Sequence, residues 1–290
     1  SIFEIDDVSR EAEDKQLEWL RGTVEELKTT FDYDALSEDA KISYDLWVND
    51  LTRSEYSARF PHNQYVFDQM NGFQGFLPQF LMQFHKVTTE EHMEAYVARV
   101  GGVSRATHQL LDRAEEAAQA GVRAPKFAYE GVIDQTKKVL TGAPFDASDE
   151  PSALLADAYA KVDNLVEQET IDAARGEELK AAAKKALEGP FKEAFERIVS
   201  WHEAGLEELG EPKGVWSLPD GEAYYNERLA FATTTDLTAD QIHEIGLQEV
   251  ARLRAEMEAV RVRSGFEGDL AAYFEFARVD SSNFFPDTDE

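Results

Sequence analysis

Apolar side chains recur every three or four residues along most of the chain, the spacing of one face of an α-helix. The clearest stripes are Leu17, Leu20, Val24 and Leu27; Met93, Tyr96 and Val100; Leu155, Ala158, Val162 and Leu165; Phe191, Phe195 and Ile198; and Ile242, Gly246, Val250, Leu253, Met257 and Val260. Sustained alternation of apolar and polar positions, which strands favour, is missing from the sequence. The pattern therefore predicts an all-α fold, a large multi-helix array.

Capping sequences indicate where several helices begin. In a capping box, a threonine and a Glu or Gln three residues later bond to each other's backbone N–H groups. Thr88 with Glu91 and Thr238 with Gln241 have this spacing, and Pro151 is typical of a helix start. We assign no element to 65–87. A shorter helix is expected over 270–276.

Turn residues separate the predicted helices, but no low-complexity linker divides them. We therefore predict a single helical region over 1–290. A further subdivision would separate 1–210 from 211–290, the second part beginning a cleft-forming half. Because two aromatic residues, Phe284 and Phe285, lie so close to the last residue, we expect packed structure to continue beyond it.

Charge and composition limit the classes of partner. The 290 residues contain 58 Asp and Glu against 29 Lys and Arg, a net charge of −29. Such a surface repels nucleic acid, whose phosphates require cationic side chains. The chain has no cysteine, which excludes disulfides, thiolate nucleophiles and Cys-ligated metals. No apolar run reaches the roughly 18 residues of a membrane span.

Two His-Glu pairs raise the question of a zinc site. Helical zinc peptidases use H-E-x-x-H, in which two histidines one turn apart hold the metal and the glutamate acts as base. Leucine replaces the second histidine after both His202-Glu203 and His243-Glu244. We therefore interpret each as a histidine packed along a helix face beside a solvated glutamate, and predict no metal ligands in this chain.

Adjacent tyrosines are the other candidate chemistry. Tyr224 and Tyr225 must point in different directions if they lie on a helix, so one of them can face a cavity. A tyrosine hydroxyl in a cleft can bind a ligand or stabilise an oxyanion. The alternative is an aromatic core residue with an amphipathic neighbour. No residue is predicted to be catalytic.

A family resemblance rests on several uncommon stretches in order. They are SEDAKISYDLWV at 37–48, QMNGFQGFLPQFLMQFHKV at 69–87, EEHMEAYVARV at 90–100, the Gly-Val-Arg-Ala-Pro turn at 121–125, LPDGEAYY at 218–225, TTTDLT at 233–238 and QIHEIGLQEVARLRAEM at 241–257. The sequence resembles the bacterial "domain of unknown function 885" family over nearly its whole length.

The resemblance implies an N-terminal half of a larger protein. Family members are about twice this length, often described as lipoproteins, and look like helical gluzincin-type zinc peptidases. Their presumed catalytic segment, a His-Glu followed by Pro-Gly-His-His, does not occur here. Zinc is thus expected for the full-length protein. The remaining C-terminal half of the same protein is the expected partner, and a peptide-like molecule the expected substrate.

Two functions follow as expectations. In the first, the chain forms one wall of the substrate cleft of a zinc-dependent hydrolase, with Tyr224, Tyr225 and Arg228 as cleft candidates, and is inactive alone. In the second, it is a non-catalytic helical binding or scaffolding module. The resemblance favours the periplasm or cell envelope over the cytoplasm.

Overall fold

The computed structural model describes residues 2–211 and 213–285, most of which are helical. The α-helices are α1 (Arg10–Thr30), α2 (Glu38–Ser57), α3 (Phe73–Gln79), α4 (Glu90–Gln119), α5 (Lys126–Val139), α6 (Ala153–Glu167), α7 (Ala173–Ala186), α8 (Lys192–Gly205), α9 (Gly221–Thr233), α10 (Ala239–Arg263) and α11 (Leu270–Val279). Two π-helical turns cover Phe80–Phe84 and Leu187–Phe191. The prediction of an all-α fold is confirmed.

Contacts between residues divide the chain into two units, Ser1–Tyr225 and Asn226–Glu290. The boundary falls within α9, so this helix contributes residues to both units. The subdivision at residue 210, made from the sequence, stays a prediction.

The first unit is built around α4. This 30-residue helix packs against α3, α6, α7 and α8 and buries residues along its whole length. Tyr96, Val100, Val103 and Leu110 are completely inaccessible. Burying a large apolar side chain contributes about 1.5–3 kcal/mol, so α4 supplies much of the stability of this unit. The predicted stripe Met93, Tyr96 and Val100 belongs to this core.

A π turn joins α7 to α8 and keeps one side of the pair apolar. Every fourth residue is buried there, in the order Leu179, Ala183, Leu187, Phe191 and Phe195. Four residues exceed one α-helical turn by about 40°, so a straight helix would carry this stripe away from the core. The helix is not straight here: Gly189 has a non-helical backbone (φ −93°, ψ −106°) and Pro190 follows it, so the chain is kinked between α7 and α8.

The two expected capping boxes have different outcomes. Thr238 and Gln241 form both reciprocal bonds, at 3.3 and 2.8 Å, so that prediction is confirmed. The cap of α4 is Thr89 instead of Thr88: its Oγ1 accepts from the His92 N–H at 3.2 Å. Thr88 Oγ1 is engaged with the His92 ring at 3.1 Å.

The second unit contains α10 and α11, which pack against each other. Neither helix has a buried residue.

No helix within 2–211 and 213–285 is long and apolar enough to cross a bilayer.

Candidate functional site

A tight turn places Tyr224 at the start of α9. The Gly221 N–H donates to the carbonyl of Leu218 at 3.0 Å, and the Tyr224 N–H to that of Asp220 at 2.9 Å. A Cβ on Gly221 would lie 2.1 Å from the Val215 carbonyl oxygen, so only glycine fits at this approach. The LPDG sequence therefore sets where the helix begins and, with it, the position of Tyr224.

The Tyr224 ring packs on a loop from a distant part of the sequence. Its centroid lies 5.5 Å from that of the buried Phe60. The buried Asn63 amide donates to the Pro219 carbonyl at 2.7 Å, which fixes this loop to the turn preceding α9. We call Phe60, His62, Asn63, Tyr65 and Tyr224 the loop patch.

Two members of the loop patch, Tyr65 and His62, have polar atoms that can form hydrogen bonds with a ligand. Partial burial raises the pKa of the Tyr65 phenol, and the neighbouring Tyr224 phenol raises it further. Tyr65 therefore stays a hydrogen-bond donor throughout the physiological range. The Nδ1 atom of His62 is buried without a hydrogen-bond partner among the described residues.

A polar cavity of about 300 Å³ adjoins the loop patch through Tyr65. Cationic side chains in its lining are Arg123, Lys126 and Lys213; Glu208 and Glu211 are the acidic ones. The Arg123 guanidinium pairs with Glu208 and lies 5.8 Å from the centre of the Trp201 ring. This volume is at the lower end of typical small-molecule sites, so the cavity can hold one or two residues of a peptide.

The family model "Bacterial protein of unknown function (DUF885)" matches residues 3–290. The chain belongs to the DUF885 family. The resemblance stated from the sequence is thereby confirmed.

Among solved structures, the DUF885 chain is similar to "the putative lipoprotein from Colwellia psychrerythraea". The TM-score is 0.81 at 18% identity, with 99% of this chain and 49% of that chain covered. This likeness shows a shared fold, and the DUF885 chain spans about half the length of that protein. No curated protein matches the chain.

The other sequence-based site candidates of the DUF885 chain lie beside Tyr224 along α9. Tyr225, the next residue, is 43% exposed. Arg228, in the second unit, has its guanidinium 4.5 Å from the Phe231 ring centre and 4.0 Å from Glu227 Oε2. That oxygen is buried without a hydrogen-bond partner in the described part of the chain. Whether the three candidates share a cleft stays a prediction.

Neither His-Glu pair fits a zinc site. The buried His202 ring donates from Nδ1 to the Ile198 carbonyl at 2.8 Å, and burial lowers its pKa to about 4. His243 is exposed, whereas Glu244 accepts from the Gln248 amide at 3.0 Å. Across residues 2–211 and 213–285, no three His, Asp or Glu side chains are grouped to hold a metal. We therefore derive no catalytic step through zinc from these residues.

Local sequence patterns missed most of the loop patch. Phe60, His62, Asn63 and Tyr65 come 159 or more residues before Tyr224 and belong to a turn-rich loop. The one signal for the first three was the turn sequence at 59–63, which holds Phe60, His62 and Asn63 beside a proline.

Proposed function

We propose that this DUF885 chain is the N-terminal portion of a zinc-dependent, metallopeptidase-like hydrolase and forms one wall of its substrate cleft. The observation that carries the proposal is the loop patch beside a polar cavity, in a chain spanning half the length of its structural relative. The metal ligands are assigned to the rest of the protein. The gluzincin-like character comes from the resemblance.

The loop patch and its cavity suit a peptide. Peptide groups present carbonyls and N–H groups in an extended row, and phenol and amide side chains can bond to both. Arg123 and Lys213 can pair with a substrate carboxylate at one end of the cavity. In this arrangement Tyr65 and Tyr224 hold and orient the peptide, while proton transfer and metal chemistry occur elsewhere.

The test compares two tyrosines in the protein extended by its own reading frame past residue 290. Tyr224→Phe removes one hydroxyl from the loop patch, and we expect kcat/KM for a fluorogenic peptide library to fall about 10-fold. Tyr159→Phe is the control, because Tyr159 lies on α6 outside the loop patch with its ring centre 5.6 Å from Lys180 Nζ, and it should change kcat/KM less than about 2-fold. Zinc content should be equal in all three proteins.

Residues 1–290 alone should neither hydrolyse the library nor bind one zinc per chain. Tight stoichiometric zinc with hydrolysis by 1–290 would contradict the proposal. So would a family-length protein that holds zinc but hydrolyses none of the peptides.

A cell-envelope location is part of the proposal. Its support is the structural relative, whose description is "putative lipoprotein". Fractionation of the source bacterium, with immunodetection of the protein, should place it in the periplasmic or membrane fraction. Recovery in the cytoplasmic fraction alone would count against this location.

A non-catalytic binding or scaffolding module is the second candidate. The feature that favours it is the continuous core of the first unit, which joins α4, α6, α7 and α8. Such a module would bind the same peptides through the loop patch and release them unchanged. Mass spectrometry of the peptides after incubation with the family-length protein distinguishes the two candidates.

A further inference from the structure

The apolar stripe of α10 has a spacing that normally marks a packed seam. Val250, Leu253, Met257 and Val260 follow one another at intervals of three, four and three residues, which places them on one face. Their exposed fractions are nevertheless between 41% and 65%. We call these four residues the α10 stripe. A solvent-facing helix surface usually carries polar residues instead.

A groove lies beside the α10 stripe, between α10 and α11. It has a volume of about 370 Å³ and is lined by Val250, Leu253, Arg254, Met257, Leu270, Ala271 and Phe274. Among the described residues that line it, Arg254 is the one charged side chain. The groove can therefore take apolar side chains from another helix, with one cation available for an acidic residue at its edge.

Two arginines of α10 are paired within the helix itself. Arg252 bonds to Glu249 and Glu256 at 2.6 Å each, and Arg261 Nε bonds to Glu258 at 3.0 Å. These pairs satisfy their five charged groups within the helix. The apolar face has no comparable cover, and contiguous exposed apolar surface of this kind marks an interaction site.

We propose that the α10 stripe and its groove are the docking surface for an amphipathic helix from the remainder of a family-length DUF885 protein. The occupant is argued from length: 51% of the structural relative, the part beyond the 49% matched, has no counterpart in these 290 residues. This inference rests on the proposed function only in treating the chain as part of a longer protein. A second copy is a poorer occupant because two chains of net charge −29 repel each other.

The test uses residues 1–290 and, as a separate polypeptide, the product encoded in the same reading frame after residue 290. Size-exclusion chromatography with light scattering should show a 1:1 complex. Leu253→Asp and Met257→Asp should each raise the Kd by about 10- to 100-fold, because each variant loses an apolar side chain that the complex would bury.

Val262→Asp is the matched control. Val262 is an apolar residue of the same helix, 61% exposed, and lies nine residues from Leu253, about 180° around the helix. Its substitution should leave the Kd within about 2-fold, since the opposite face makes no contact in a helix-in-groove complex. Leu253→Gln provides a milder second variant, and far-UV circular dichroism checks that every chain is folded.

Three results would overturn the proposal. A reading frame that stops at residue 290 leaves no occupant. Equal Kd values for Leu253→Asp and Val262→Asp would place the contact elsewhere. A homodimer of 1–290 that Leu253→Asp dissociates would assign the surface to a second copy. The binding assay requires neither zinc nor hydrolysis. A complex that depends on Leu253 but hydrolyses no peptide would therefore refute the proposed function and leave the docking surface standing.

Discussion

His202 shows how a histidine beside a glutamate becomes a core residue. Its ring makes edge contacts with Phe67, Tyr129 and Trp201 at centroid distances of 5.4, 4.8 and 4.8 Å. The Nδ1–H is satisfied within α8 by the Ile198 carbonyl. Protonation would place a charge among these rings, so the pKa falls to about 4.

This buried histidine should make stability depend on pH. The unfolded chain binds the proton with a pKa near 6.5, whereas the folded chain binds it only near 4. The unfolded state therefore carries more protons between these values, and stability falls as the pH drops through this window. Between pH 7 and 4.5 this one residue should remove about 2 kcal/mol from the free energy of unfolding.

Urea unfolding of the wild type and of His202→Phe at both pH values checks the prediction. The phenylalanine variant loses the bond to Ile198, but it should lose about 2 kcal/mol less than the wild type on acidification. An equal loss in both proteins would show that His202 does not titrate in this window.

Single residues were only partly predictable from the sequence. Helical spacing relates a side chain to neighbours three or four positions away. From this spacing His202 was correctly predicted to pack along its helix. The contact between Tyr224 and Phe60 joins positions 164 residues apart, and no local pattern encodes such a pair. Asn63, which holds that loop in place, was missed for the same reason.

At the scale of helices, Arg175 ties α7 to α4. Its guanidinium bonds to Glu90 at 2.6 Å and Glu94 at 2.5 Å on α4, and to Glu178 at 2.8 Å on its own helix. These groups are partly exposed, so each pair is worth less than about 1 kcal/mol, but a shared guanidinium forms a network.

We expect Arg175→Ala to lower the free energy of unfolding more than the loss of one exposed ion pair does, and the loss to shrink in 1 M NaCl. Arg197→Ala is the control, since Arg197 reaches α4 through one 3.7 Å pair with Asp112 and a bond to the half-buried His108 ring. It should lose less than about 0.5 kcal/mol. Equal losses in urea unfolding would argue against the network.

The capping box of α10 gives a second prediction at this scale. Thr238→Ala removes the side-chain acceptor for the Gln241 N–H, which should destabilise the helix start by about 1 kcal/mol. Amide hydrogens of the first turns of α10 should then exchange about 5-fold faster. Thr52→Ala, which removes only a hydroxyl bonded back to Val48 within α2, should leave those rates unchanged.

Helices with regular stripes and caps were predictable, and those without them were not. α1, α6, α10 and α11 lie where their patterns indicated. α7 was missed because its buried residues are Gly176, Leu179 and Ala183, and with a single large apolar side chain among them the stripe is faint. α3 contains Pro78 and continues into the π turn Phe80–Phe84, which explains why 65–87 gave no signal.

At the scale of the whole molecule, charge repulsion is the dominant long-range effect. A net charge of −29 on 290 residues opposes the compact state, and salt screens this repulsion over a Debye length of about 10 Å at 0.1 M. The urea midpoint should therefore rise as NaCl is increased from 0.05 to 0.5 M.

A control variant replaces the exposed Glu25, Glu26, Glu167 and Glu188 with glutamine, which changes the net charge from −29 to −25. Its midpoint at 0.05 M NaCl should exceed that of the wild type, and its salt response should be smaller. A midpoint that is independent of salt in both proteins would contradict the prediction.

The π turn between α7 and α8 makes a solvent-facing position intolerant of length change. Deleting the exposed Glu188 would move every later residue one position back along the chain relative to α7. Lys192 and Glu196 would then occupy the places of Phe191 and Phe195 in the core. Insertions and deletions should thus be rarer at 187–191 than surface exposure alone implies. The number of residues in this segment is therefore constrained, whereas the identity of an exposed side chain such as Glu188 is not.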